Sequence, residues 1–328
     1  MKKIYLLFVI FAFVACKNST KIPNVDNIDV NVQVVRFDKD IFSTDDVAVL
    51  HEKYGSFFDN FCDYILGIGR SDSADFQINF NNFKNDSIAR LAQSEASEIL
   101  SSYEQTLNKE LTHAFKLYKY YFPQKPIPQI YVHTSGFNTS LIIDSNIISI
   151  GMDKFLGSDK DIYKALGFSK YLMQNMRKER IVCEVAGALG TDEFPLSNIH
   201  YTLVEKMIYE GKILYFKQKL CPLIPENDIF GFNTDNMKFC VNNEQQMWIY
   251  LVENKLLYSD NYTVITKFTE EAPFTYDFSQ ASPGKAANWL GFRIVEQYVN
   301  NTNASLAELM NETSYEKILR ESKYNPRN

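Results

Sequence analysis

Two segments of the chain carry carboxylates at positions that could serve metal chemistry. In RIVCEVAGAL, Glu184 follows Cys183 and stands three residues before Gly187. In MIYEGKILYF, Glu210 directly precedes a glycine. The zinc motif H-E-x-x-H places two histidines one helical turn apart, with a glutamate between them as general base and a further ligand elsewhere in the chain. Here Cys183 and Gly187 stand at the two histidine positions.

The donors left in these segments do not make a zinc site. Gly187 has no side chain, and a thiolate at Cys183 with one distant glutamate gives too few ligands on one face. Without a metal there is no Lewis acid and no activated water, so Glu184 alone supplies little catalysis. The histidines are scattered over separate segments, at His51, His113, His133 and His200. The sequence therefore predicts no metal, no cofactor and no enzymatic activity.

The elements predicted before these segments form a small strand region beside long helices. Residues 28–34 alternate apolar and polar side chains, which is typical of a half-buried strand. A helix is predicted from Thr44 to the glycines at 67 and 69, and a longer one over 87–122, which the three prolines of FPQKPIP end. QIYVHT predicts a strand, and LIIDSNIISIG predicts a hairpin that turns at residues 144–146.

The C-terminal half is predicted to be helical. Helices are expected at roughly 170–190, 200–219, 242–257, 284–300 and 305–322. Ser282 before Pro283 predicts a helix start, and Ser305 with Glu308 predicts a capping box. Trp289 with Gly291 indicates close packing of one helix against another. The fold class is therefore α+β, a mostly helical domain with a small N-terminal and central strand region.

The N-terminus has the layout of a bacterial secretion signal. MKKIYLLFVIFAFVAC joins a basic start to a short apolar run that ends in Val14-Ala15-Cys16, which resembles a lipobox. We expect a signal peptide over 1–15, a lipidated tether over 16–29 that begins at Cys16, and one domain over 30–328. An ordinary signal peptide with an incidental cysteine is the alternative. No acidic residue directly follows Cys16, which favours the periplasmic face of an outer membrane.

Composition excludes some partners but does not determine whether the cysteines form a disulfide. The net charge of −6 and the pI near 5.4 provide no basic field, so we expect no nucleic acid. No stretch after the signal approaches the roughly 20 apolar residues of a membrane span. Four cysteines follow Cys16 in the chain: Cys62, Cys183, Cys221 and Cys240. Their spacing matches no zinc module. Cys221 and Cys240 bracket a loop and could form a disulfide; buried free thiols are the alternative.

Several longer motifs resemble the GldB family of gliding-motility lipoproteins. They occur in the family's order over nearly the whole mature chain: YKYYFPQKPIPQIYVHTSGFNTS, IGMDKFLGSD, YEGKILYF, NEQQMWIYLVENKLLYS, APFT and SPGKAANWLGFRIVEQY. The resemblance implies a lipid-anchored protein that works at the cell envelope with other motility proteins. The family is distantly similar to predicted zinc peptidases that retain H-E-x-x-H, which implies a degenerate gluzincin-type fold. It supplies no catalytic residue, and only Cys16 matches a position of known chemical role.

Three functions follow from these observations. The first is a non-catalytic envelope lipoprotein that supports gliding or associated machinery. The second is a module that binds a peptide or glycan in a vestigial cleft, and the third, least favoured, is an active metallohydrolase. The cleft residues are predicted to be Glu184, Glu210 and Glu244. Buried carboxylates need counter-ions, and the candidates in the same motifs are Arg180, Lys206, Lys212 and Arg293.

Overall fold

The computed structural model describes residues 22–196 and 200–326, so the predicted signal peptide and Cys16 lie outside the described residues. The first helices are α1 (Phe37–Ser43), α2 (Val47–Tyr54), α3 (Ser56–Asn60), α4 (Phe76–Asn85) and α5 (Ser87–Tyr121), with a π-helical turn at Phe61–Ile65. Three strands follow: β1 (Gln129–His133), β2 (Leu141–Asp144) and β3 (Ile147–Gly151). The later helices are α6 (Asp161–Ala165), α7 (Lys170–Met173), α8 (Ile181–Glu193), α9 (Leu203–Leu220), α10 (Glu226–Phe230), α11 (Thr234–Asn242), α12 (Glu244–Glu253), α13 (Tyr262–Thr269), α14 (Ala286–Thr302), α15 (Leu306–Asn311) and α16 (Tyr315–Ser322).

The strands form one small mixed sheet in the order β1-β3-β2. β3 pairs parallel with β1 and antiparallel with β2. The predicted hairpin is confirmed, and Ser145 at its tip has a φ of 54°, the left-handed conformation that tight hairpin turns require. The long helix predicted before the sheet is also confirmed as α5, which Asp86 caps. The prediction of an α+β fold is therefore correct, with helices far outweighing strands.

The predicted N-terminal strand is wrong as a strand, although its burial pattern is correct. Val30, Val32 and Val34 are buried. Their segment forms no ladder, because side chains of α5 satisfy its backbone instead. The amide of Val32 donates to Thr112 Oγ1 at 2.9 Å, and that of Val34 donates to Asn108 Oδ1 at 3.0 Å. The segment reaches the sheet only at an isolated bridge that follows it. It therefore covers α5 rather than extending the sheet.

Three predicted helix boundaries differ from the structure for local reasons. Asp46, not Thr44, caps α2, because its carboxylate accepts from two amides of the first turn. The helix predicted to run on to residue 69 breaks at Gly55, which has a φ of 54°. Ser282 does not cap a helix, because its hydroxyl accepts from the Thr275 amide at 3.0 Å and donates to a nearby carbonyl. The capping box of Ser305 is confirmed.

Two further helices predicted as continuous are interrupted. The one expected over 170–190 divides into α7, a 3-10 turn and α8, because residue 177 forms an antiparallel bridge with residue 156. The one expected over 305–322 divides into α15 and α16, and Ser314 caps the second part by accepting from the Lys317 amide. In both cases a hydrogen bond outside the helix competes with its continuation.

The centre of the main core is the contact between α9 and α14. A Cβ added at Gly211 would lie 2.3 Å from the backbone carbonyl of Gly291, and one added at Gly291 would lie 1.7 Å from the Met207 oxygen. The two backbones therefore touch, as the sequence predicts for Gly291. Trp289 is buried beside this crossing and packs on the ring of Phe230. The crossing fixes the position of α9 against the remaining helices.

We expect the substitution Gly291→Ala to destabilise the fold, because its methyl group would overlap the Met207 backbone, which cannot rotate away. The free energy of unfolding should fall by about 2 kcal/mol or more. Gly187→Ala is the matched control, since a methyl group there meets only the flexible chain of Lys217 at 3.2 Å. Urea denaturation of both variants measures the difference. An unchanged midpoint for Gly291→Ala would show that the helices can separate at no cost.

Candidate functional site

A cavity of about 320 Å³ lies where α8 and α9 face each other. Its lining includes Glu184 on α8 and Glu210 on α9, two of the carboxylates that the sequence singles out. The remaining lining residues come from both helices and from neighbouring elements: Leu141, Gly187, Ala188, Thr191, Ile213, Leu214, Lys217, Phe230, Phe232, Lys285 and Asn288. The fold thus brings two predicted residues to one site.

Each helix presents the same spacing to this cavity. The α8 residues lie at positions 184, 187, 188 and 191, and the α9 residues at 210, 213, 214 and 217. Steps of three, four and seven residues fall on one face of a helix. A carboxylate therefore begins each row, and a lysine ends the row on α9. This repeated spacing is readable in the sequence, although only its first members were recognised there.

Glu184 has two cationic partners. Arg180, one turn earlier on the same side of α8, forms an ion pair with its carboxylate. Lys217 of α9 lies 3.6 Å from the same carboxylate oxygen. Both cations are almost fully buried, with 2% of Arg180 and 7% of Lys217 exposed. Sequence reasoning identified Arg180 as a counter-ion and missed Lys217, which lies 33 residues away from its partner.

These charges set the protonation state of Glu184. Burial raises the pKa of a carboxyl group, but the positive charges of Lys217 and Arg180 outweigh it and bring the pKa of Glu184 down to about 2. Lys285 contributes in the same direction. A carboxylate with so low a pKa is a poor proton acceptor near neutral pH, because a general base works best with a pKa close to the operating pH.

The chain of Lys217 also fills the space in front of Gly187. A Cβ added at Gly187 would lie 3.2 Å from Lys217 Cδ and 3.6 Å from its Cε. A histidine at this position would have to project through the same volume. In a zinc motif that imidazole would bind the metal. The glycine and the lysine are therefore complementary: one supplies the room that the other occupies.

The other singled-out glutamates have their own partners. Glu210 forms an ion pair with Lys206 at 2.7 Å. Glu244 lies at the start of α12, away from the described cavity lining, where its carboxylate accepts from Arg293 Nε at 3.1 Å and from the Tyr324 hydroxyl at 2.8 Å. The structure thus brings Glu184 and Glu210 together and leaves Glu244 elsewhere. Lys212, another predicted counter-ion, instead donates to two backbone carbonyls near α15.

The donors around the cavity do not resemble a metal site. Within residues 22–196 and 200–326, no three His, Cys, Asp or Glu side chains are grouped to hold a metal ion. Burial raises the pKa of the Cys183 thiol, which keeps it protonated, and its Sγ faces the Asp228 carbonyl at 3.6 Å. The question of a disulfide between Cys221 and Cys240 is answered by two buried, free thiols.

The fold and the site together define an α+β protein whose central cavity is lined by paired charges. Over residues 18–326 the chain matches the family described as gliding motility protein GldB, and it belongs to that family. No curated protein and no solved structure gave a match in the same comparisons. Membership implies involvement in gliding motility and association with the cell envelope. In the described part of the chain, no helix has the length and apolar character needed to cross a bilayer.

Replacing Lys217 by Met should raise the pKa of Glu184 and reduce stability at neutral pH by about 1 kcal/mol, a value kept small because Glu184 is partly exposed. The pKa of Glu184 is lowered in the folded state, so its ion pairs stabilise above pH 4.5 and lose this effect as the pH falls towards 2. The difference in unfolding free energy between wild type and Lys217→Met should therefore shrink over that range.

Urea denaturation from pH 7 to pH 2.5 measures this difference. Lys219→Met is the control, because Lys219 lies on the same helix but outside the cavity lining, with its ammonium over the Tyr215 ring. Its effect on stability should not follow the titration of Glu184. A difference for Lys217→Met that is constant with pH would contradict the ion pair.

Proposed function

We propose that this chain is a non-catalytic lipoprotein, anchored in the cell envelope, that supports gliding motility or associated envelope machinery. Family membership supports the link to gliding. The observation that carries the non-catalytic part is the double pairing of Glu184 by Arg180 and Lys217. A residue at the position of a peptidase's general base is here paired with two buried cations.

The cluster supports a structural role over a catalytic one for two reasons. The first is its protonation state, because a glutamate with a pKa of about 2 does not accept a proton readily near pH 7. The second is space, because the aliphatic part of Lys217 lies against Gly187, where a metal ligand would stand. Both features favour a peptidase-like scaffold that has lost its chemistry, in line with the resemblance to a degenerate gluzincin.

The proposed anchor is a lipid attached to Cys16, with residues 16–29 as a tether. A lipobox-like end to the apolar run supports this assignment. The proposed location is the periplasmic face of the envelope, at the outer membrane, where motility proteins would be the partners. Two or more acyl chains would make the attachment stable, whereas one chain alone binds only marginally.

A second candidate function is a binding module, and the cavity is the observation that favours it. At about 320 Å³ it falls at the lower end of the size range of small-molecule pockets, roughly 300–1,000 Å³. Its lining combines apolar side chains such as Ile213 and Phe230 with charged ones such as Lys217, so a ligand could find both packing and hydrogen-bonding partners there. A peptide or a glycan could enter it without any reaction.

The double variant Glu184→Gln and Glu210→Gln tests the non-catalytic role. It removes both carboxylates while keeping their size, so a scaffold should still restore gliding to a strain that lacks this protein. Movement of cells over a surface is the measurement, with protein level and melting temperature as controls. Loss of gliding by a folded, normally abundant variant would show that these carboxylates have a working role.

The variant Cys16→Ala tests the anchor. We expect it to move from the membrane fraction to the soluble periplasmic fraction, or to accumulate as an unprocessed precursor, because no acyl chain can be attached. Cys62→Ala is the matched control, since Cys62 is buried in the domain and should not affect the fractionation. Fractionation followed by mass spectrometry of the N-terminus reports the result. An unmodified N-terminus at another residue in the wild type would contradict the proposal.

A further inference from the structure

The charged side chains around the cavity form ion pairs. Glu210 is matched by Lys206 at 2.7 Å, and Lys206 also lies 4.0 Å from the exposed Glu270. Lys285, which also lines the cavity, is matched by Glu271. Glu184 is matched by Arg180, a buried guanidinium that is always charged. Lys217 is therefore a second cation on a carboxylate that already has a partner, so the cluster of Glu184, Arg180 and Lys217 has two positive charges and one negative charge.

The contact of the Lys217 ammonium with Glu184 is long. Its Nζ lies 3.6 Å from the carboxylate oxygen, so this contact engages at most one of its three N–H groups. Only 7% of the surface of Lys217 is exposed, and the residue lines the cavity. An ammonium has three donors, and burying them without acceptors is costly. This donor is thus available to a negatively charged group inside the cavity.

The other lining residues indicate what kind of molecule would carry this negatively charged group. Ile213 and Leu214 lie beside Lys217 on α9, and Phe230 and Phe232 face them. Such walls favour an apolar group. The volume of about 320 Å³ corresponds to about ten water molecules of liquid, which is room for about one amino-acid residue rather than a folded segment.

We propose that this cavity binds the C-terminal carboxylate of a peptide that ends in an apolar residue. Lys217 Nζ donates to the carboxylate, and the last side chain packs on Ile213, Leu214 and Phe230. A free amino acid fits less well, because its ammonium would need an unpaired carboxylate and both Glu184 and Glu210 are paired. The proposal rests on the second candidate function, in which the cavity binds a peptide without cleaving it.

The test is calorimetric titration of the full-length protein in detergent with three small probes. N-acetyl-leucine presents a carboxylate and an apolar side chain, and N-acetyl-leucinamide has the same body without the charge. We expect the amide to bind at least about tenfold more weakly, because a charge-assisted hydrogen bond is lost. Free leucine should also bind more weakly than N-acetyl-leucine. Equal binding of acid and amide, or no binding of the acid at millimolar concentration, overturns the proposal.

Three variants locate the contact. Lys217→Met should weaken binding of N-acetyl-leucine at least about tenfold, whereas Lys219→Met, outside the cavity lining, should not change it. Glu184→Gln should bind the acid as tightly as wild type or more tightly, because it removes a competing negative charge. Unchanged affinity in Lys217→Met, or lost affinity in a folded Glu184→Gln, overturns the assignment. If Lys217→Met does not fold, the comparison of N-acetyl-leucine with N-acetyl-leucinamide on the wild type still tests whether the cavity recognises the carboxylate.

Three outcomes separate this inference from the function on which it rests. Octanoate that binds as tightly as N-acetyl-leucine would overturn the peptide assignment in favour of an aliphatic carboxylate. Release of acetate from N-acetyl-leucine during the titration would mean cleavage of its amide bond, and would overturn the non-catalytic function itself. The third outcome combines two results: the wild type does not bind N-acetyl-leucine, and the Glu184→Gln and Glu210→Gln double variant still supports gliding. It would overturn the peptide site and leave the non-catalytic function standing.

Discussion

The backbone contact between α9 and α14 determines where the cavity lies. Gly211 and Gly291 allow the two helices to approach until their main chains touch. Gly211 directly follows Glu210, so the same turn of α9 that packs on α14 also carries the first residue of the cavity row. A wider spacing would shift Glu210 and Lys217 relative to α8 together. The packing of α9 on α14 and the position of the cavity residues on α9 therefore depend on each other.

The ion cluster follows from that position. With α9 beside α8, the chain of Lys217 packs against Gly187 and its ammonium lies 3.6 Å from Glu184. Desolvation alone would raise the pKa of the Glu184 carboxyl group, whereas the charges of Lys217 and Arg180 lower it and keep the group ionised. The arrangement also places the side chain of Lys217 in the cavity wall.

Much of the architecture was predictable because local signals decide it. The long α5 shows in its periodicity and in the prolines that end it, and the β2–β3 hairpin shows in its turn residues. The errors occur where distant groups compete for the backbone. The segment around Val32 has the alternation of a strand, but Thr112 and Asn108 of α5 take its amides. Helices α10, α11 and α13 are short and were not predicted, since weak periodicity over few residues carries little information.

The sequence by itself determined that position 187 supplies no metal ligand, because glycine has no side-chain donor in any fold. It also contained the candidate counter-ions, and Arg180 and Lys206 fill that role within one helical turn of their partners. Only the tertiary structure decided that Lys217 faces Glu184 while Glu244 does not share the cavity. Those outcomes depend on how helices far apart in the chain are packed, and no spacing within one helix encodes the distance between two.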